Sequence, residues 1–528
     1  MSAQIRCLKL IIIHYRIMGG SCQYLILLIC CVFVGRTLSS NSPKSRALNP
    51  RKCLVWGPGL DPETVLPARY FFIQLVDFDG QNFTDSIGEK EISVDIVRAR
   101  TGERARIWTQ VLDRHDGSYI VRYKLYETYE DLKINVYYIS QHLAHSPYKL
   151  RGPVYSEDCY CPESDRTKWM RAMKCPKRYD QIKRDLSLFS KIDMKAVEKE
   201  AIARYNQRGS HSLCHYSIID NKIYRKTHGE HVGFKMFMDN ILLSLARKVK
   251  LPDMEFIVNL GDWPLVTKKR ADPPIPIFSW CGSDDTNDIV MPTYDITEAT
   301  LETMGRVMLD MLSVQANTGP KWDNKTAQGF FRGRDSRQER LDLVKLSRKH
   351  PGILDAKLTN MFFFKHNKEE VGELVKHISF FDFFKYKYQI SLDGTVAAYR
   401  LPYLLAGDAV VFKQDSPYYE YFYKDLIPHE HYIPIKRDIS DVLDKIQWAK
   451  DNDEEARQIA KNAQKYVQDH LLADEIFCYH MVLFEEYSKL LVSKPHIYKE
   501  MERVDQPTSR NPCRCHHPDS NDVRRDEL

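Results

Sequence analysis

Three segments of the chain hold side chains whose types and spacing could do chemistry. In "EFIVNLGDWP", residues 255–264, the apolar run Phe256, Ile257, Val258 and Leu260 stops at Gly261-Asp262-Trp263-Pro264, because proline cannot donate to a sheet ladder. That leaves Asp262 at the end of a strand. Open α/β sheets bind ligands at the carboxyl ends of their strands, and a carboxylate there can take a proton from an attacking hydroxyl. In "GFFRGRDSRQER", residues 329–340, Arg332, Arg334, Arg337 and Arg340 crowd behind two aromatics, and guanidinium forks match phosphate oxygens in pairs. In "KYKYQISLDGTVAAYRLPYLLAGDAVVFK", residues 385–413, Gly394 opens a helix-like run holding Arg400. Glycine ahead of a helix start leaves backbone N–H groups free for phosphate. Singly, Asp262 reads as a turn former beside Trp263-Pro264, and the arginines as a solvated or salt-bridged face. Together, one carboxylate and two phosphate-binding segments describe the transfer of a sugar from a nucleotide donor.

Such segments need alternating strands and helices to position them, and the chain beyond Cys159 has that pattern. "MEFIVNL" and "AVVFK" are strand-like runs, while "ITEATLETMGRVMLDMLSVQ" places Met304, Val307, Met308, Met311 and Leu312 at helical spacing. Ile459, Ala460, Ala463, Val467 and Leu471 repeat that spacing, and Ile476, Tyr479, Leu483, Phe484, Tyr487 and Leu491 form a last long stripe. This alternation predicts a doubly wound parallel-sheet architecture with room for two lobes and a cleft. After Glu500 the chain is polar and reads as a loose tail. From about Pro50 to Tyr155 the period is two instead: Phe71, Ile73 and Leu75; Ile92, Val94 and Ile96; Tyr119, Val121 and Tyr123; Leu132, Ile134, Val136 and Tyr138. Asp79-Gly80 and Asp116-Gly117 mark turns between them, which predicts a β-sandwich.

The bulk properties narrow the class. With 528 residues, 43% of them hydrophobic, and mixed charges summing to +6, the chain is an ordinary multidomain globular protein and not a dedicated nucleic-acid binder. Arg6, Lys9 and Arg16 precede the apolar run Tyr24–Val34 and the small residues Gly35, Ser39 and Ser40, the order of a secretory signal peptide. A signal anchor would extend the run back to Ile17. Gly19, Gly20, Ser21 and Gln23 interrupt it, and the uninterrupted part is short of the roughly 20 residues a span needs, so no stable membrane insertion is expected. The ending Arg525-Asp526-Glu527-Leu528 is one conservative change from the retrieval signal read by the KDEL receptor. Both ends point to the endoplasmic reticulum lumen, where disulfides form. Beyond the leader lie nine cysteines (Cys53, Cys159, Cys161, Cys175, Cys214, Cys281, Cys478, Cys513 and Cys515), so at least one is left over. Asn82 and Asn324 open N-glycosylation sequons. Asp77-Phe78-Asp79 and Asp451-Asn452-Asp453 spell D-x-D but read as turn and helix-start chemistry. "CRCHH", Cys513 to His517, reads as a disulfide or a loose end, and His429-Glu430-His431 lacks zinc-site spacing. No metal is expected.

Two resemblances sharpen this. "GPGL" at 57–60, "DRHDGSYIVRY" at 113–123 and "SPYKL" at 146–150 resemble filamin-type immunoglobulin-like repeats, which act as spacers or docking surfaces. "LPDMEFIVNLGDWP", "IPIFSW", "GFFRGRDSRQERLDLVKLSRKHP", "KYKYQISLDGTVAAYR" and "HYIPIKRDISD" resemble the Rumi-type protein O-glucosyltransferases of glycosyltransferase family 90. With the repeat and the RDEL ending, the whole chain is similar to the KDEL motif-containing members of that family. The resemblance implies a leader over residues 1–40, a filamin-type β-sandwich over 46–155, a transferase domain over 156–500 with a GT-B fold of two Rossmann-like lobes, and a polar tail over 501–528. It implies that glucose passes from UDP-glucose, with inversion, to a serine of folded EGF-like repeats of secreted or cell-surface proteins. Asp262 takes the position of the catalytic base, and Arg340, Val396, Ala397, Ala398, Tyr399, Arg400 and Arg334 take donor-binding positions. Arg334 stands where relatives often have a small hydroxyl residue, and "PTYDITEAT", 292–300, departs from the founding members on the acceptor side. The alternatives are a luminal binding protein that chaperones EGF-repeat clients, and a xylosyltransferase using UDP-xylose.

Overall fold

The computed structural model describes residues 47–206, 209, 212–269, 273–302, 310–508, 513 and 515. The leader, the residues Met304, Val307 and Met308, and Arg525, Asp526, Glu527 and Leu528 lie outside the described residues. Period-two alternation produces eight strands before Tyr155: β1 Leu54–Trp56, β2 Arg69–Gln74, β3 Ile92–Val97, β4 Ile107–Asp113, β5 Ser118–Leu125, β6 Tyr129–Tyr138, β7 Gln141–His142 and β8 Tyr148–Val154. They form two antiparallel sheets, β1-β2-β5-β4 and β3-β6-β7 with β8 on β6. Phe71, Ile73, Val121, Tyr123, Leu132, Ile134 and Val136 fill the space between them, none with measurable exposure.

The opposite face of β2 and β5 does not face water, which corrects the spacer expectation. Tyr70, Phe72 and Ile120 belong to the same apolar cluster as the transferase domain. Around them Tyr70 Oη donates to Asp474, buried Arg122 pairs with Asp310 at 2.6 Å and Lys124 pairs with Glu302 at 3.1 Å. The module keeps its own core between its sheets and builds its outer apolar face into the core of the transferase domain.

The next sheet contains β9 Leu213–Ile219, β10 Lys222–His228, β11 Met254–Asn259, β12 Ile277–Ser279 and β14 Ile289–Val290, in the order β14-β12-β11-β9-β10. Between its members lies the short β13 Gly282–Ser283. The sheet is mixed, a departure from the parallel architecture expected: β11, β12 and β14 run parallel, whereas β9 and β10 are antiparallel. The reason is local. Asp220 and Asn221 both take positive φ, 47° and 61°, the geometry of a two-residue hairpin turn, and a hairpin can join only antiparallel strands.

The second lobe holds β15 Thr326–Arg334, β16 Leu354–Asn360, β17 Tyr386–Ser391, β18 Val410–Gln414 and β20 Ile433–Ile435, all parallel in the order β16-β15-β17-β18-β20. The strip β19 Tyr418–Tyr419 leaves this lobe to pair with β13 of the first. Gly282 is required there, since a Cβ would lie 2.7 Å from the Tyr419 ring. Helix Asp453–His470 packs on the second lobe, and helix Ala473–Ser488 returns to the first, where Phe484 meets Phe256 and Phe278.

The described residues of the tail are not loose. Strand β21 Glu502–Val504 pairs with β10 as the edge of the first lobe's sheet. Cys513 and Cys515 are bonded to Cys159 and Cys161, and Cys175 to Cys478. Cys53, Cys214 and Cys281 are buried thiols. The polar sequence concealed this because an edge strand and two cross-links need few apolar residues. Asn82 and Asn324 are both exposed. Among the described residues no helix is long and apolar enough to cross a membrane.

Because the module's outer apolar face is buried in the transferase core and ion-paired there, residues 47–508 should unfold in one calorimetric transition. Arg122→Ala, which strands Asp310, should lower the stability of that whole transition by about 3 kcal/mol. A separate, earlier transition for the sandwich, unmoved by Arg122→Ala, would restore the spacer reading.

Candidate functional site

Asp262 follows β11 by three residues and is held there by side chains, not by a regular element. The buried Asn259 amide donates to Trp263 O at 2.6 Å and to Ser279 Oγ at 3.1 Å, and its Oδ1 accepts from Gly261 N. Asp288, also buried, caps the N–H groups of Leu265 and Val266 and accepts from Ser279 Oγ. The strand end and the turn are thereby fixed, and the half-buried Asp262 carboxylate accepts one hydrogen bond, from Tyr294 Oη at 3.1 Å. The Tyr294 ring is itself immobilised, stacked on Phe237 at 4.7 Å and edge-on to Trp280 and Tyr399.

The facing wall comes from the second lobe. In a sheet ordered 2-1-3-4-5 the first and third strands are neighbours whose connections leave in opposite directions, and ligands bind at that switch point. Here the strands are β15 and β17. Asp262, Arg334, Arg340, Val396, Ala397, Ala398, Tyr399 and Arg400, every position expected to catalyse or bind donor, line one cavity of about 460 Å³ between the lobes.

The arginines differ in what they have left to give. Arg340 is buried; its Nε donates to Asp393 O at 2.6 Å, Nη2 to Leu392 O at 3.0 Å and Nη1 to Arg334 O at 3.1 Å. It staples the carboxyl ends of β15 and β17. Arg332 is paired with Asp355 at 2.8 Å. Arg400 donates to Arg332 O and shares the Phe331 ring with Arg340. The Arg334 guanidinium has no hydrogen-bond partner among the described residues and rests over Phe362. Arg400 and Arg334 are therefore the cations best able to meet an anion. Burial first, then the neighbouring Arg400 charge, pulls Arg340 down to about 9; burial and the Arg334 charge pull Arg400 down to about 10. Both remain cationic near neutral pH, at a cost that a bound anion would relieve.

The segment after Gly394 is not the helix-like run expected. Residues 394–399 are irregular, and helix Leu401–Ala406 begins only after Arg400. Arg337 takes the carbonyls of Gly394 and Thr395, and Gly394 N–H donates to Val396 O, so the helical ladder cannot start. The N–H groups of Val396, Ala397 and Ala398 meet no acceptor among the described residues, which makes this loop an anion cradle of backbone donors.

Sequence reading missed Tyr294 and Asp295, which face Asp262, and Thr359, His377 and Ile378, which complete the cavity. It also passed over Asp335, whose buried carboxylate accepts from the N–H groups of Phe362, Phe363 and Phe364 and holds the loop after β16. In the sequence, Tyr294 and Asp295 stood out only as part of the acceptor-side stretch 292–300, with a role for neither. Both D-x-D segments lie elsewhere: Asp77 caps its own turn, and Asp453 accepts from Trp322 and Lys387.

Comparison with known proteins identifies both domains. Residues 47–149 match the Filamin/ABP280 repeat. The chain is 59% identical over 465 residues to protein O-glucosyltransferase 2 of Danio rerio, covering 88% of this chain and 92% of that protein. It is 50% identical to human protein O-glucosyltransferase 3, covering 91% and 95%, and 32% identical to human protein O-glucosyltransferase 1, covering 52% and 72%. Residues 170–520, the two lobes with their cavity, match the model of glycosyl transferase family 90, and the chain belongs to that family.

Proposed function

We propose that the protein moves glucose from UDP-glucose to a serine hydroxyl of folded EGF-like repeats, inverting the anomeric carbon. The observation that carries this is the pairing, across one cavity, of a single oriented carboxylate with two arginines that keep donors free and a loop of free N–H groups. The diphosphate would lie against Arg400, Arg334 and the N–H groups of Val396, Ala397 and Ala398, over a floor kept in place by Arg340. Tyr294 occupies one oxygen of Asp262 and leaves the other for the serine proton. A serine hydroxyl is a weak nucleophile near neutral pH, so removing its proton as the new bond forms is the chemistry Asp262 supplies. The arginines stabilise the charge that develops on the leaving UDP. The relatives named protein O-glucosyltransferases support the donor and the acceptor class, and the lobe arrangement supports a GT-B assignment.

The same reading places the enzyme in the endoplasmic reticulum lumen. The basic-then-apolar leader and Arg525 to Leu528 support delivery and retrieval by the KDEL receptor, and the three disulfides suit an oxidising compartment.

Asp262→Asn should lower transfer by about 10²- to 10⁴-fold with UDP affinity nearly unchanged, whereas Arg400→Ala should weaken UDP binding as well as turnover. Near-parental transfer by Asp262→Asn would reduce Asp262 to a turn residue. EDTA should leave the rate intact, because arginines meet the diphosphate and neither D-x-D segment reaches the cavity; strict dependence on Mn²⁺ would reverse this. Deleting Arg525 to Leu528 should move the protein from cells to medium, and a truncated protein still held in membranes would favour the uncleaved anchor.

A further inference from the structure

Asp295 has no assigned task, yet it stands in the cavity beside the base. It is the second residue of helix Tyr294–Leu301, and Tyr403 Oη fixes its main chain by donating to its carbonyl at 2.9 Å. Its side chain opens into the cavity and accepts no hydrogen bond from any described residue. It is exposed to that open space, and partial burial, then the nearby Asp262 charge, raises its carboxyl to about 6, with Arg400 opposing the shift. A carboxylate that faces the cavity and takes no donor from the protein is free to accept the hydroxyls a ligand brings.

The placement limits which part of a nucleotide sugar that could be. Asp262 and Asp295 form the acidic wall of the first lobe; Arg334, Arg340 and Arg400 form the basic wall of the second. Phosphate oxygens carry no hydrogens and would be repelled by Asp295, so the diphosphate belongs on the basic wall. The reacting carbon must come within reach of the hydroxyl that Asp262 deprotonates. The ring attached to that carbon therefore lies against the acidic wall, and its hydroxyls are the donors a carboxylate accepts, two at a time when they are adjacent. From this juxtaposition, and resting on the donor reading above, we infer that Asp295 is the sugar-binding residue of the cavity, accepting hydroxyls of the transferred sugar and selecting a neutral sugar over a uronic acid.

The test separates sugar from nucleotide. UDP, UDP-glucose, its four monodeoxy analogues and UDP-glucuronate would be titrated calorimetrically into the parent, Asp295→Ala and Asp295→Asn, and the KM for UDP-glucose measured alongside. Asp295→Ala should leave UDP affinity within about twofold while weakening UDP-glucose about tenfold or more, the scale of a hydrogen bond to a charged group. Asp295→Asn should fall between. At least one deoxy analogue should bind the parent about tenfold more weakly than UDP-glucose but show no further penalty in Asp295→Ala, and UDP-glucuronate should gain affinity in both variants. Equal losses for UDP and UDP-glucose, or a deoxy penalty unchanged in Asp295→Ala, would overturn the inference. Because these readouts are binding constants, a parent that binds UDP-glucose through Asp295 yet transfers nothing to an EGF-like repeat would refute the proposed reaction and leave this assignment standing.

Discussion

Two parallel strands whose connections leave in opposite directions part at their carboxyl ends, and something must hold the gap at a fixed width. In this protein that is the Arg340 guanidinium, which reaches from the first turn of its helix to the carbonyls that follow β17 and to the last residue of β15. The basic groups of the second lobe that face the cavity hang on those two strand ends. Arg334 is the final residue of β15, and the loop from Gly394 to Arg400 springs from β17. A buried cation satisfied by carbonyl oxygens sets their spacing and adds positive potential, so one residue serves geometry and charge together.

The opposing wall shows the same division of labour with the sign reversed. Asn259 and Asp288 fix the turn, and the aromatic stack fixes Tyr294. Only Asp262 and Asp295 present free carboxylate oxygens to the cavity. Asp262, held by Tyr294, and Arg340, held by carbonyls, are oriented before any ligand arrives and need little reorganisation during reaction. The lobes that carry them are joined by β13 and β19, by Thr293 donating to the fully buried Glu420, and by the returning helix. Glu420, whose carboxyl burial pushes up to about 8, seals that joint as a largely protonated acid near neutral pH.

Much of the site was legible because its chemistry is concentrated in short local strings. Asp262 is exposed by the proline that stops its strand, and Arg334, Arg340 and Arg400 by crowding and by glycine. Tyr294 and Asp295 were not legible in the same way: nothing local distinguishes them from the first turn of any helix, and their meaning arises only when the lobes face each other. Arg332 and Arg334 look alike in sequence, yet Asp355, supplied by a different strand, neutralises one and leaves the other free. The sandwich was legible from its alternation, but its second apolar face was not, since Tyr70 and Phe72 lie in a strand whose other side is apolar as well. The mixed sheet turned on two residues, Asp220 and Asn221, whose left-handed backbone no hydrophobic pattern reports.

The cross-links between Cys159-Tyr160-Cys161 and Cys513-Arg514-Cys515 each span 354 positions. Neither can close until all the intervening chain has been made, and β21, the edge of the first lobe's sheet, is added at the same late stage. A ribosome delivering this chain residue by residue hands over a sandwich and two lobes whose seam is still open. Vectorial synthesis therefore ends before the covalent structure is complete. An enzyme fastened in this way needs an oxidant, and not only a ribosome, for its last two bonds.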